Sequence, residues 1–304
     1  MKVDAGTAPA RAVFPTRIID AVLEAESLLR DANVTDTPRL ESEVLLADLL
    51  GIGRAKLTSS CFEWLRASDL SEFLSRIMRR VHGEPVAYII GKKEFMGFEF
   101  RVDNRVLVPR PETEILVEHV LEMVQGGTCG GGNILDMGTG CGCIAVSLAL
   151  LLPHASIHAT DISEGAVALA LYNSERHRVS GKITFYVGNL FSALPDALVS
   201  SIDVIVCNPP YVSDAEYLGL DGSIREFEPS VALRGGRDGL DPFRRIAGGA
   251  ADYLVRGGVL AVEIGENQAD KATDILERAE NFEVIEIVRD LAGRQRVIIG
   301  RKTK

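Results

Sequence analysis

The stretch "ILDMGTGCGC", residues 134–143, passes from a short apolar segment through a turn with three alternating glycines into the apolar run "CIAVSLALLLP". Read as strand, tight turn and helix, it decides the fold. Glycine permits the backbone conformations of a tight turn and lets a ligand or a helix come close to the main chain. Outward from this turn, strand-like and helix-like segments alternate. The strands are "ILDM", "SIHATD", "ITFYV", "DVIVC", "GVLAVEI", "FEVIEIV" and "RVIIG", and helices centre near Ala149, Ala168, Ile246 and Ile275. The alternation predicts an α/β fold: a seven-stranded, mostly parallel, Rossmann-like sheet with helices on both faces. The connection "RDLAGRQ" (289–295) is too short for a helical crossover, so the last strand is expected to be antiparallel.

Ahead of the sheet the period is helical. Residues 1–15 are aperiodic and read as a flexible tail. Thr16 is expected to cap a helix over "RIIDAVLEAESLLRDA", with Ile19, Val22, Leu23 and Leu29 roughly on one face. Thr37 and Pro38 open a second helix, with proline at the first helical position, and Gly51 closes it. Ser68 opens a third that runs to Gly83. Residues 16–90 therefore form a small helical bundle. "EFMGFEFRVDNRVLVP" (94–109) alternates and reads as a hairpin, within a linker over 91–110. Residues 111–304 form the sheet domain, entered by a helix from Pro111 to about Val124.

The chain has 304 residues and a net charge of −10, with −2 in residues 1–90 and −8 in the rest. Neither part has the basic excess that neutralising phosphates requires, so no nucleic-acid partner is expected. Five cysteines, an odd number with mostly apolar neighbours, read as reduced thiols of a cytoplasmic protein. Cys141-x-Cys143 has no second Cys/His pair nearby, so no metal site is expected. The start lacks an apolar signal core, and the longest apolar run is about half a membrane span, so no membrane partner is expected either.

The glycine turn carries chemistry. Asp136, Gly138, Gly140 and Gly142, with Thr139 and Cys141 between them, follow the pattern D-x-G-x-G-x-G. A dinucleotide site would use G-x-G-x-x-G, and Cys143 stands where its third glycine belongs. Asp136 is unwelcome beside a diphosphate and suits a ligand with positive charge, such as the amino group and sulfonium of S-adenosylmethionine. Asp161 closes the next strand, placed to accept both hydroxyls of a ribose. Asn189 follows the third strand, where its carbonyl can meet an adenine amine while Leu190 presses on the ring.

"DVIVCNPPYVSD" (203–214) leaves a strand through two prolines, which cannot continue a ladder. Pro209 and Pro210 leave backbone carbonyls without N–H groups, and Asn208 adds a side-chain carbonyl. Such a corner suits a ligand with two N–H donors on one nitrogen, an amide or exocyclic amine. Gripping both hydrogens aims the nitrogen lone pair and stabilises developing positive charge. Tyr211 is expected to stack on the planar target group or wall it off.

Together these residues resemble the class I S-adenosylmethionine-dependent methyltransferases that act on amino groups. "GEPVAYIIGKKEFMG" (83–97), "VLVPRPETEILVE" (106–118), "REFEPSVAL" (225–233) and "GGRDGLDPFRRI" (235–246) further resemble the release factor glutamine methyltransferases, the HemK/PrmC family. The resemblance spans about residues 16–300. It implies a substrate: the glutamine of the Gly-Gly-Gln loop of class 1 peptide chain release factors, methylated on its side-chain nitrogen. Asn208 and the Pro209 backbone hold that amide. Asp136, Gly138 to Gly142, Asp161, Asn189 and Leu190 hold S-adenosylmethionine, with Asn208 reaching both cofactor and substrate, and the helical domain helps dock the release factor. Many relatives carry an acid where this chain has Asn189. Arg110, Glu112 and Glu114 match the family motif without a derivable role. A monomer is expected, and residues 212–227 are a candidate lid.

Two other readings use the same residues. An adenine-N6 nucleic-acid methyltransferase would use the same acceptor corner on a flipped base, and the charge and the missing basic domain count against it. A non-enzymatic scaffold would have no use for the turn, the acid and the proline corner together.

Overall fold

The computed structural model describes residues 15–279 and 281–304, so all of the expected tail but Pro15 lies outside the described residues. The described residues fall into two compact units, divided between Ile90 and Gly91. The smaller is helical: α1 (Ile18–Asp31), α2 (Pro38–Leu50), α3 (Arg54–Ser59), α4 (Ala67–Val81) and α5 (Val86–Ile90). Its core joins Val22, Ala25 and Leu29 of α1 to Leu45 and Leu46 of α2 and Phe73 and Ile77 of α4. Thr16 does not cap α1. Arg17 holds the cap position, and the first N–H groups of the helix, from Ile18 and Ile19, donate to the carbonyls of Glu63 and Cys61. Backbone partners replace the side-chain cap. Leu23, expected on the buried face, is exposed. Thr37 precedes α2 without a capping bond, Pro38 takes the first helical position, and Gly51 ends the helix in the left-handed region. Arg66, not Ser68, precedes α4. The short α3 and α5 were not legible as periodic segments.

The larger unit opens with a hairpin, β1 (Lys92–Phe95) and β2 (Phe98–Arg101), turning at Met96 and Gly97, both with positive φ. The expected hairpin over 94–109 is thus too long, because pairing ends at Arg101 and residues 102–110 run without a strand. The buried Asn173 fastens β2: its Oδ1 accepts from the Arg101 N–H (2.8 Å), and its Nδ2 donates to the Arg101 carbonyl (3.0 Å).

Then follow α6 (Pro111–Gln125), β3 (Asn133–Met137), α7 (Cys143–Leu151), β4 (Ser156–Asp161), α8 (Glu164–Arg176), β5 (Ile183–Val187) and β6 (Ile202–Cys207). The chain continues through α9 (Asp214–Leu218), α10 (Gly222–Phe227), α11 (Asp241–Tyr253), β7 (Leu254–Glu263), α12 (Ala269–Arg278), β8 (Phe282–Arg289) and β9 (Gln295–Lys302). Residues 212–227, the candidate lid, thus hold two short helices, α9 with a capping box at Ser213 and Glu216.

The sheet order is β5-β4-β3-β6-β7-β9-β8. β9 pairs antiparallel with both β7 and β8, and the other pairs are parallel. Leu135, Met137, Ile205, Cys207, Leu260 and Val262 project from one face onto Phe243, Ile246 and Ala247 of α11 and Leu276 of α12. The intervening Ile134, Val204, Val206, Val259 and Ala261 are buried too, which is why these strands read as continuous apolar runs. From β3 the chain builds outward to β4 and β5, then returns to the other side of β3 as β6. Ligands of open α/β sheets bind at such a switch, beyond the carboxyl ends of the strands.

Candidate active site

The register fixes what meets at the switch. Met137 of β3 pairs with Cys207 of β6, so the loops that begin at Gly138 and Asn208 leave the sheet side by side. They open onto a cavity of about 320 Å³, within the range of small-molecule sites. Gly138, Thr139, Gly140, Cys141, Asp161, Asn189, Leu190, Asn208 and Pro210 all line it.

The glycine turn is held locally. The Gly138 and Thr139 N–H groups donate to the Thr160 carbonyl at 2.8 and 2.9 Å. Gly138, Gly140 and Gly142 have φ of +73°, +56° and +82°. A Cβ on Gly138 or Gly140 would meet no atom within 4 Å, because open space lies above them, whereas one on Gly142 would stand 3.0 Å from the Ala170 Cβ. The first two leave room for a ligand, and the third lets the turn pack on α8.

Asp136 does not line the cavity. It is fully buried beneath the turn, where Oδ2 accepts from the Thr139 hydroxyl (2.7 Å) and the Ala145 N–H (3.2 Å). Burial pushes its carboxyl up to about 7, against those two hydrogen bonds. Its Oδ1 has no partner among the described residues. A buried carboxylate oxygen left over beneath an open glycine cradle fits a ligand whose positive end lies above it.

Asp161 sits at the cavity wall. Its oxygens accept from the Gly140 and Ser163 N–H groups, both at 2.9 Å, which fixes the carboxylate and leaves further lone pairs for ribose hydroxyls. Burial raises its pKa against these bonds. Leu190 holds φ +52°, an uncommon conformation for a bulky residue. The Asn189 side-chain carbonyl accepts from Arg245 Nη2 at 2.9 Å, which orients it and leaves its second lone pair for an adenine amine.

The proline corner is held from a distance. Asn208 Nδ2 donates to Thr113 Oγ1 (2.8 Å), and that hydroxyl donates to Glu263 Oε2 (2.7 Å) at the end of β7. Glu263 is buried, and burial pushes its carboxyl up to about 7 despite the Thr113 bond. The Tyr211 carbonyl accepts from Gln268 Nε2 (2.9 Å), and the Pro210 carbonyl stands against Gly235, where a Cβ would lie 2.7 Å away. Neither Asn208 Oδ1 nor the Pro209 carbonyl accepts a hydrogen bond from the described residues.

Two expectations change. Tyr211 does not wall the cavity; its hydroxyl is turned to Glu263, and burial raises its pKa. Pro209 is buried and is not part of the lining.

The family-motif residues now have partners. Arg110 Nη2 donates to Glu228 Oε1 (2.5 Å), whose other oxygen accepts from the Val108 N–H (3.1 Å). Glu114 accepts from the Met96 N–H at the hairpin turn (2.6 Å). Glu112 faces Glu263 and Arg296 electrostatically. Sequence reasoning missed Thr113, Glu263 and Gln268. One signal was present: Glu263 is the lone charge in the otherwise apolar "GVLAVEI".

Sheet order, glycine turn and strand-end acid define a class I methyltransferase, whose methyl donor is S-adenosylmethionine. Two solved structures share the fold: a methyltransferase from Pyrococcus furiosus (TM-score 0.51, 18% identity, covering 76% of this chain and 99% of that one) and the hMettl16 catalytic domain (TM-score 0.51, 16% identity, 79% and 84%). Residues 111–219 match the methyltransferase small domain, and residues 20–91 match the PrmC N-terminal domain. Release factor glutamine methyltransferases of Geobacter sulfurreducens and Koribacter versatilis are 40% and 39% identical. Those alignments cover 88% and 91% of this chain and 90% and 96% of theirs. The chain belongs to the release factor glutamine methyltransferase family.

Proposed function

We propose that this protein methylates the side-chain amide nitrogen of the glutamine in the Gly-Gly-Gln motif of class 1 peptide chain release factors, with S-adenosylmethionine as donor. Asn208 carries the assignment: its amide nitrogen is engaged by Thr113 and its carbonyl oxygen has no donor among the described residues, beside the glycine turn. That oxygen and the Pro209 carbonyl are two acceptors, and a primary amide offers two hydrogens on one nitrogen.

S-Adenosylmethionine, when bound, supplies an electrophilic methyl group. Gly138 to Gly142 would hold its amino-acid end above Asp136, Asp161 its ribose, and Asn189 and Leu190 its adenine. The protein's task is to make a poor nucleophile attack. An amide nitrogen delocalises its lone pair into the carbonyl. Asn208 Oδ1 and the Pro209 carbonyl, accepting both hydrogens, orient that nitrogen and favour its pyramidal form, in which positive charge develops. The nitrogen becomes acidic as it is alkylated, so no strong general base is needed.

In this reading residues 16–90 dock the release factor and residues 111–304 carry the chemistry. The enzyme works as a cytoplasmic monomer, without a nucleic-acid partner. Mass spectrometry of a release factor incubated with enzyme and donor tests the assignment. The Gly-Gly-Gln peptide should gain the mass of one methylene, on glutamine, while duplex DNA takes up no radiolabelled methyl. Label in DNA alone would reverse the choice in favour of an adenine-N6 enzyme.

A further inference from the structure

We propose that Thr113 and Glu263 are positioning residues for methyl transfer: they decide which end of the Asn208 amide faces the substrate. The inference rests on the function proposed above and deepens it.

The two ends of an asparagine amide have nearly the same shape and opposite hydrogen-bonding character. An Asn208 with its carbonyl outward accepts from a substrate amide. Flipped, it would point N–H groups at the substrate's own N–H groups and repel them. Nothing in the Asn-Pro-Pro-Tyr sequence chooses between these states, since a freely rotating side chain samples both.

The structure supplies the choice from two distant segments. Thr113 lies in the first turn of α6, 3% exposed, and Glu263 at the end of β7, 1% exposed. A threonine hydroxyl has one proton. While Glu263 Oε2 carries no proton, it takes that proton at 2.7 Å, so towards Asn208 the hydroxyl oxygen acts only as an acceptor. It receives Asn208 Nδ2 at 2.8 Å. The Asn208 nitrogen is thereby directed to α6, and the carbonyl remains for the cavity. The Tyr211 hydroxyl lies against the same carboxylate, which ties the orientation of Glu263 to the proline corner itself. Thr113 and Glu263 act through Asn208 and not on the substrate.

Thr113→Val keeps the shape of the side chain and removes the hydroxyl. Around metal ligands, loss of an outer partner that orients a contacting group lowers affinity or activity about 10–100-fold, and an oriented amide is expected to respond alike. The expected result is a fall of that size in kcat on the release factor, with S-adenosylmethionine affinity by calorimetry close to wild type and a melting temperature a few degrees lower, because Glu263 and Asn208 each lose a buried partner. Thr113→Ser, which keeps the hydroxyl, should recover most of the loss. In Asn208→Ala, adding Thr113→Val should do little further harm, because the oriented group is already gone. A purely structural residue would instead add its own loss. Thr113→Ala provides the same comparison where valine prevents folding.

The Asn208 side-chain amide protons, followed by nuclear magnetic resonance, give a readout that needs no substrate. One should be protected from exchange in wild type and Thr113→Ser and lose protection in Thr113→Val or Thr113→Ala. Equal protection in all four, or additive losses in the double variant, overturns the proposal. Wild-type enzyme that leaves the release factor unmethylated overturns the functional reading alone, and the exchange measurement still decides the orientation.

Discussion

The two loops that meet at the switch point are built on opposite principles. The turn after β3 is held by neighbours: Asp136, Thr139 and Ala145 lie within nine residues of one another, and Thr160 and Asp161 come from the adjacent strand. The corner after β6 is held from afar, with Thr113 95 residues before Asn208 and Gln268 57 residues after Tyr211. Backbone conformation is the working part of the first loop. In the second it is the orientation of one amide. Damage to the first should therefore appear in cofactor binding, and damage to the second in turnover.

The largest expected effect is on the second loop. Asn208→Ala should lower kcat about 10²–10³-fold, as loss of one well-placed hydrogen-bonding group does, with cofactor affinity unchanged by calorimetry. Unchanged turnover would remove the role of the corner.

Both loops rest on a buried acid, and this makes a pH prediction. Asp136 and Glu263 are each raised to about 7, from ordinary values of 3.8 and 4.5. A folded-state pKa above the unfolded one favours the protonated fold. Their contribution is fully present below about pH 4 and is lost as pH rises through about 7. Carboxylates with lowered pKa, such as Asp103 and Glu216, act in the acid range and do not mask this. Urea denaturation from pH 5 to 8 should show stability falling by a few kcal/mol, on the order of the shifts at about 1.4 kcal/mol per pH unit. A flat profile would mean that neither acid is held as described. S-Adenosylmethionine should reduce the fall if its positive end lies over Asp136.

A smaller effect belongs to the first loop. Gly138→Ala places a Cβ in the cavity at φ +73°, where a non-glycine residue costs about 1–2 kcal/mol. That strain is present with and without ligand and lowers stability; a Cβ standing in the ligand's space should in addition lower cofactor affinity about tenfold, equivalent to about 1.4 kcal/mol, with kcat at saturating cofactor little changed. A kcat loss at unchanged affinity would dissolve the contrast between the loops.

The smallest effect is at Tyr211. With its hydroxyl against Glu263 and its ring off the cavity wall, Tyr211→Phe should cost about 1 kcal/mol of stability and leave the KM for the release factor near wild type. A large rise in KM would restore the stacking role expected from sequence.

Much of this was legible in the chain. The strands of the main sheet, the antiparallel last strand and the glycine turn follow from apolar runs, glycine placement and connection length, all local properties. Asn208 was legible because two prolines announce a break in a strand. What went unread was each residue's partner. Tyr211 looked like a stacking ring and Asp136 like a ligand contact, since residue type says what a side chain offers and not where it points. Thr113 looked like one more residue at a helix start.

The sequence by itself determined the order of strands and helices, the turn that only glycine can make, and the corner that proline leaves without donors, because these depend on a residue and its near neighbours. Only the tertiary structure decided that β9 enters between β7 and β8, that Met137 and Cys207 stand in register, and that Thr113 and Glu263 turn the Asn208 carbonyl outward. Those outcomes depend on groups up to 150 residues apart. No local spacing encodes the direction of a hydrogen bond between side chains brought together by packing.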